Sequence, residues 1–271
     1  MSGPSAKGDN VNETLRLIED RMSLRRYEER PIEPQHREAI LHAAMRAPTA
    51  GNMMLYSIVE VADQTKRDRL AETCGHSFIA EAPFVLLFLA DMQRWFDYYE
   101  AGDIRSYCEN QGLVYRTPEA SDLMMASCDA LIAAQNAVVA AESVSVGSCY
   151  VGDIMGHAEV HRELFDLPPW AFPITLLTFG YYPGDLERRR TDRFDPQFIV
   201  FKDHYRHFEK ADFQEMLAAI EAKFAGVMET RQMTLAQMTY RGFTLSKPRI
   251  EESRSVRRLL EDWGLPQSPS D

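Results

Sequence analysis

The chain has 271 residues, 45% of them hydrophobic and 10% aromatic, with a formal net charge of -11. That composition supports a packed core and allows one large domain or two small ones. The acidic balance argues against a general nucleic-acid binder, and no run of about 18 uncharged apolar residues marks a membrane span.

Residues 1–9 read as a flexible leader without the apolar stretch of a secretion signal. Asp9 or Asn10 caps an expected helix whose Val11, Leu15, Ile18 and Met22 share one face. That helix runs into RMSLRRYEER (residues 21–30), where Arg21, Arg25 and Arg26 crowd around Ser23. Cations there can complement the negative end of a helix dipole. Guanidinium groups beside a hydroxyl are equally a natural set for a phosphate.

Pro34 opens a second helix with Ile40, Leu41, Ala44 and Met45 as its apolar stripe. It ends before APTAGN (47–52), a small-residue loop with turn chemistry. YSIVEVA (56–62) reads as a strand, residues 64–73 as a charged helix, and APFVLLFLAD (82–91) as a buried strand. Residues 93–119 are aromatic and irregular, the pattern of an inserted lid. Residues 121–143 form a helix that is apolar nearly all round, as a core or a subunit interface requires.

VSVGSCYVGD (144–153) reads as a Gly-punctuated connection, followed by a short helix at 157–165 and the strand ITLLTFGYY (174–182). After PGDLERRRTDRFDP come an expected short strand FIVF (198–201) and helices at 211–225 and 251–262. Few strands among many helices point to an α+β arrangement of sheet and helices. The four cysteines show no paired spacing, which fits free thiols in a reducing cytoplasm. His157 and His161 stand at i, i+4 without the intervening Glu of a metalloprotease motif, so no metal is expected.

Four stretches could carry chemistry: the Arg-rich opening, PTAGN, GSCYVGD and the second Arg cluster ERRRTDRF. In GSCYVGD, Gly147 and Gly152 would permit close backbone approach to a ligand. Two Arg clusters about 165 residues apart could face one phosphate if the fold joins them, which is what a mononucleotide cofactor needs.

In order, RMSLRRYEERPI, ILHAAMRAPTAGNMMLYSIVEV, IAEAPFVLLFLAD, VGSCYVGDI and FGYYPGD…RTDRF resemble the FMN-dependent nitroreductase family over residues 12–202. The resemblance implies an α+β fold, a central, mostly antiparallel sheet flanked by helices, in an intertwined homodimer with FMN at the subunit interface. By position it implies that Arg21, Met22, Ser23 and Arg25 contact FMN, with Pro48, Thr49, Ala50 and Asn52 supplied by the other subunit. Tyr150, Val151 and Gly152 would cover one ring face, and Arg193, with Arg190 as second choice, would bind the phosphate. His76 stands where relatives often place an amide side chain near the flavin. Asp153 departs from the second Gly of many relatives.

The resemblance also implies three segments: the leader, an FMN-binding domain over 10–202 with the lid at 93–119, and a helical extension over 203–271 that wraps the partner. The implied activity passes reducing equivalents from NADPH or NADH through flavin N5 to a nitroaromatic, quinone or related small acceptor. Arg25 would stabilise the reduced ring and act as the catalytic cation. Trp95, Phe96, Tyr98, Tyr99, Tyr107 and Tyr115 would form the acceptor slot. The alternatives are a specialised flavoenzyme of the same fold, reductive dehalogenase or flavin-fragmenting, and a non-catalytic flavin-binding dimer or empty scaffold.

Overall fold

Four strands form the sheet in a computed structural model that describes residues 12–264. They are β1 (Tyr56–Glu60), β2 (Phe84–Asp91), β3 (Val146–Val151) and β4 (Ala171–Tyr181). The order is β1-β2-β4-β3 with every neighbour antiparallel. β2 and the long β4 are central and almost wholly buried, as their unbroken apolar runs require.

Eleven α-helices are described: α1 (Glu13–Asp20), α2 (Pro34–Met45), α3 (Gln64–Cys74), α4 (Phe78–Glu81), α5 (Gln93–Ala101) and α6 (Ile104–Gln111), then α7 (Ala120–Ser143), α8 (Ala158–Phe165), α9 (Lys210–Arg231), α10 (Leu235–Thr239) and α11 (Lys247–Leu260). Phe84, Leu86 and Phe88 of β2 face one core with α2 and α7, while Val85, Leu87 and Leu89 face a second core with α3 and α4. That split is the period-2 alternation of a strand covered on both faces. In α7, Ala126, Ala130, Ala133, Ala134, Ala137 and Ala141 are completely buried, and their small size lets the helix sit close to the sheet. The helix is long and apolar enough to cross a membrane, yet Asp129 at its middle is buried against the chain.

The chain divides into two units, residues 13–188 with 251–264, and residues 189–250. In the first unit, residues 251–264 pack on its core. Leu259 and Trp263 are buried beside Leu123 and Phe172, Ser255 Oγ accepts from the Ala158 amide at 2.8 Å, and Arg254 clasps Glu159. The second unit holds α9, α10 and a π-helical turn over Tyr240–Thr244. The expected leader and its Asp9 or Asn10 cap lie outside the described residues.

Three local expectations are corrected. VSVGSCYVGD is not a connection, because residues 146–151 pair with β4 along their whole length. FIVF is not a strand: Pro196–Phe198 form a 3-10 turn, with Ile199 and Val200 exposed. The lid is not irregular, since 93–101 and 104–111 are helical and Phe96 is buried against Trp170 at 4.2 Å between ring centroids.

Gly147 and Gly180 are directly paired across β3 and β4, and a side chain on either would force its neighbours to move. A Cβ on Gly147 would lie 2.6 Å from both Leu24 Cδ2 and Tyr182 Cζ, and one on Gly180 would lie 2.4 Å from the Tyr27 ring. Gly147 therefore makes room for the Arg-rich segment rather than for a ligand. Gly147→Ala is expected to cost about 1–3 kcal/mol in urea unfolding, as overpacking does, whereas Gly184→Ala should be nearly neutral. Nothing lies within 4 Å of a Cβ on Gly184. Equal losses in the two variants would contradict this account.

Candidate functional site

α1 ends at Asp20, and the Arg21 amide closes its last turn on Leu17 O at 3.1 Å. Beyond it the backbone is extended, Ser23 forms a parallel bridge with Ser148 of β3, and the Leu24 amide donates to Ser148 O at 2.9 Å. Met22 therefore lies past the helix rather than on its apolar face. In extended backbone, alternate residues share a side. Leu24 is buried, and Arg21, Ser23 and Arg25 fall on the other phase. Arg26 instead makes an exposed two-armed pair with Asp185 at 3.0 Å, a surface contact of small value.

The bridge brings the first and third chemical stretches together. Burial pushes the Cys149 thiol up, while Arg25, Ser23 and Arg21 act against that shift. Burial also pushes the Tyr150 phenol up to about 12, with Arg21 opposing, and its hydroxyl donates to Gln135 at 3.2 Å. Val151 is buried. Gly152 follows it, and a Cβ there would meet only Met155 Cε, at 4.0 Å, so this face is open. Arg21 Nη1 and Ser148 Oγ are buried and have no hydrogen-bond partner among the described residues. Orphaned groups of this kind cost free energy unless a ligand or water completes them. A cationic N–H and a hydroxyl are the chemistry a phosphate takes, so the residues present fit FMN.

Near Arg21 the buried Glu142, which sequence reading missed, gathers the half-buried Tyr182 and the exposed Arg188. Glu142, at the end of α7, accepts from Tyr182 Oη at 2.6 Å, and Arg188 Nη1 stands 3.8 Å from its other oxygen. Burial raises the Glu142 carboxyl, against the pull of Tyr182, Arg188 and Arg21. The Arg188 guanidinium also covers the Tyr182 ring at 3.8 Å. An acid in the last turn of a helix is disfavoured by the dipole, and that misplacement was the available signal. From ERRRTDRF, the first unit thus receives Arg188. Arg190 and Arg193 belong to the second unit, where Arg193 donates to the Thr191 and Asp192 carbonyls.

PTAGN is anchored by another missed residue, Asp129. Its carboxylate accepts from Thr49 Oγ1, from the Ala50 amide at 3.1 Å and from the Leu55 amide at 3.2 Å. Thr49 Oγ1 in turn accepts from the Met54 amide at 2.8 Å. The Thr49 hydroxyl is thereby committed to holding the loop, and the exposed Pro48 and Asn52 with the loop backbone are left to meet a ligand. Asp129 interrupts an Ala-rich buried face, which was its signal in the sequence. Trp95 Nε1 donates to Met53 O at 2.7 Å, so this ring fastens the loop, while Tyr98 and Tyr107 remain exposed.

The two half-sites are diagonally opposed on one sheet. Ser23 lies outside β3, whereas PTAGN precedes β1 at the other edge. Four strand spacings are roughly 19 Å. The Ser148–Phe179–Phe84 row also lies beyond the Glu60 end of β1, while PTAGN lies before Tyr56.

Two histidine positions are resolved. His161 is fully buried, bonded through Nδ1 to Ile154 O and through Nε2 to Thr73 Oγ1, each at 2.8 Å. Its pKa is lowered to about 4, chiefly by burial. The folded protein keeps this ring neutral while the unfolded chain protonates near 6.5. Stability is therefore expected to fall as pH drops from about 6.5 to 4, by up to ~3 kcal/mol. Urea midpoints across that range should be flatter in His161→Asn, and parallel curves would refute the assignment. His157 pairs with Glu251 at 3.4 Å, and among the described residues no group of His, Cys, Asp or Glu could hold a metal.

A family model described as the nitroreductase family matches residues 18–181. The chain is 28% identical over 182 residues to the FMN reductase [NAD(P)H] of Bacillus subtilis, covering 66% of this chain and 70% of that protein. It is 30% identical over 212 residues to the Cr(VI) reductase of Pseudomonas sp. (strain G-1), covering 75% and 78%. The solved structure of NfrA2 from Bacillus megaterium superposes with a TM-score of 0.73 at 26% identity, over 96% of this chain and 100% of that one. With an antiparallel sheet flanked by helices and a family match over more than half its length, this chain belongs to the nitroreductase family.

Proposed function

We propose that the protein is an NAD(P)H-dependent FMN oxidoreductase that reduces a small nitroaromatic, quinone or related acceptor. The observation that carries the reading is the buried, unpartnered Arg21 guanidinium nitrogen beside Ser23 and Ser148. FMN supplies the hydride chemistry when bound. Arg21 and Ser23 hold its phosphate and ribityl chain, with Met22 contributing backbone. Arg25, exposed and permanently charged, faces the ring as the cation that stabilises its reduced form. Tyr150, Val151 and Gly152 border the ring.

Pro48, Thr49, Ala50 and Asn52 join this site from a second copy of the chain. The diagonal separation of the two half-sites supports that arrangement, and so does the outward stripe of α7. Met124 is 67% exposed there, with Leu131 and Ile132 above 40%. An unpartnered apolar stripe on a core helix is what a dimer interface covers. Tyr98, Tyr99 and Tyr107 select a flat acceptor.

The test is colour and uptake. Purified protein is expected to bind FMN and to bleach anaerobically with NADPH or NADH. Arg25→Ala is expected to bind FMN more weakly and to shift its midpoint potential to more negative values. Protein that takes up no FMN would overturn the reading in favour of a dimeric scaffold. An unchanged potential and affinity in the variant would remove Arg25 from its role.

A further inference from the structure

We propose that His76 is the proton donor to the acceptor reduced at this site, with Asp153 as its positioning residue. The proposal rests on the flavin oxidoreductase reading above. Two distant stretches build the pair. Gly75, at φ +72°, ends α3 in the left-handed conformation, and the His76 amide bonds Ala71 O at 2.9 Å. Asp153 follows Gly152 at the end of β3. Between them, His76 Nε2 stands 3.1 Å from Asp153 Oδ2.

The surroundings tie this pair to the site. The His76 ring stacks on the Phe78 ring at 5.2 Å, and the Arg25 guanidinium lies 5.9 Å from the Phe78 ring centroid. Asp153 adjoins the open face at Gly152. Among the described residues, no protein group bonds His76 Nδ1. In the imidazolium both nitrogens carry hydrogen, so Asp153 holds the Nε2 proton and the Nδ1 proton is the one to transfer. The charged groups beside His76 are the Asp153 carboxylate and, across the Phe78 ring, the Arg25 guanidinium. Cys74 of α3 lies within electrostatic reach of Asp153 and of Glu252 of α11. The Cys74 thiol is pushed up to about 12 by burial, with Asp153 and Glu252 adding to the rise, so it stays neutral.

The chemistry balances for a quinone. It takes a hydride at one carbonyl oxygen, two electrons and one proton that NAD(P)H supplies through the flavin. The ring electrons shift and the second oxygen becomes an oxyanion. That oxygen forms an O–H bond with the Nδ1 proton as the Nδ1–H bond breaks. Neutral hydroquinone leaves, and solvent returns a proton to Nδ1, since the His76 side chain is 40% exposed.

The experiment compares two acceptors on FMN-loaded protein: 1,4-benzoquinone, which needs the proton, and ferricyanide, which takes one electron and none. His76→Gln is expected to lower the quinone-to-ferricyanide turnover ratio about 100-fold, the usual size of a lost general acid. Asp153→Asn should lower it about 10-fold. In the parent protein the ratio should fall as pH rises, and that slope should vanish in His76→Gln. Independently of turnover, the 15N shifts of the His76 ring should move toward the neutral form in Asp153→Asn at fixed pH. Bound, NAD(P)H-reducible FMN with an unchanged ratio and slope would overturn the role of His76 alone. Failure of the parent protein to bind FMN would overturn the flavin reading and this proposal together.

Discussion

Asp129→Ala is expected to destabilise the protein by about 3–5 kcal/mol and to abolish FMN uptake. The carboxylate is 4% exposed and accepts three donors from the 49–55 segment. Its loss leaves the Ala50 and Leu55 amides without their acceptor, and Leu55 is buried. Each unsatisfied buried donor costs about 1–3 kcal/mol. The loop is also unusual in backbone: Gly51, Asn52 and Met54 have φ of +56°, +58° and +51°. Non-glycine residues hold such angles only where the surroundings over-determine them. Asp129 is that constraint, so its removal frees the loop to relax away from any ligand. Asp129→Asn, which keeps one acceptor oxygen, should lose about half as much. Urea unfolding and FMN titration read both effects, and an Asp129→Ala stability within 1 kcal/mol of the parent would refute the anchoring role.

The same residue shows where sequence reading stops. β2 and β4 are legible because strands buried on both faces read as unbroken apolar runs. β3 is not, because Gly147 is small to admit Leu24 and Tyr182, and the run Gly147, Ser148, Cys149 of small residues looks like a turn. FIVF shows the converse error: it has strand propensity but no pairing partner, and propensity without a ladder makes no strand. In the lid, aromatic density suggested ligand contact, yet Trp95 and Phe96 serve the core and the loop.

The site divides along the same physical line. The alternation of Arg21, Ser23 and Arg25 is local, and a period of two can be read without the fold. Asp129, Glu142, Tyr182 and Arg188 act through partners 40 to 80 positions away, and no local pattern encodes those pairings. Asp129 and Glu142 were visible only as anomalies, an acid within an Ala face and an acid at a helix C-terminus. Arg188 stood in the second Arg cluster without its partner being legible, and Tyr182 gave no signal. Buried polar groups must find partners, so such anomalies point to contacts that the sequence does not name.

Arg21→Ala separates ligand binding from structure. Glu142 is 5% exposed, and its carboxyl is raised by burial while Tyr182, Arg188 and Arg21 pull the other way. Without Arg21 the carboxyl should rise further. A carboxyl raised above its unfolded value loses stability as pH climbs from the ordinary range near 4.5 through the raised value. The variant is therefore expected to match the parent most closely at pH 5 and to fall behind by about 1–3 kcal/mol at pH 8. That figure lies below the usual cost of breaking a buried ion pair because Arg188 remains beside Glu142. FMN affinity should fall about 10- to 100-fold, the worth of one charge-assisted bond to phosphate. Adding Glu142→Gln removes the buried charge and should restore the stability at pH 8, while the FMN affinity stays low. Restoration of both together would mean that Arg21 is only the counter-ion of Glu142 and that the phosphate is held elsewhere.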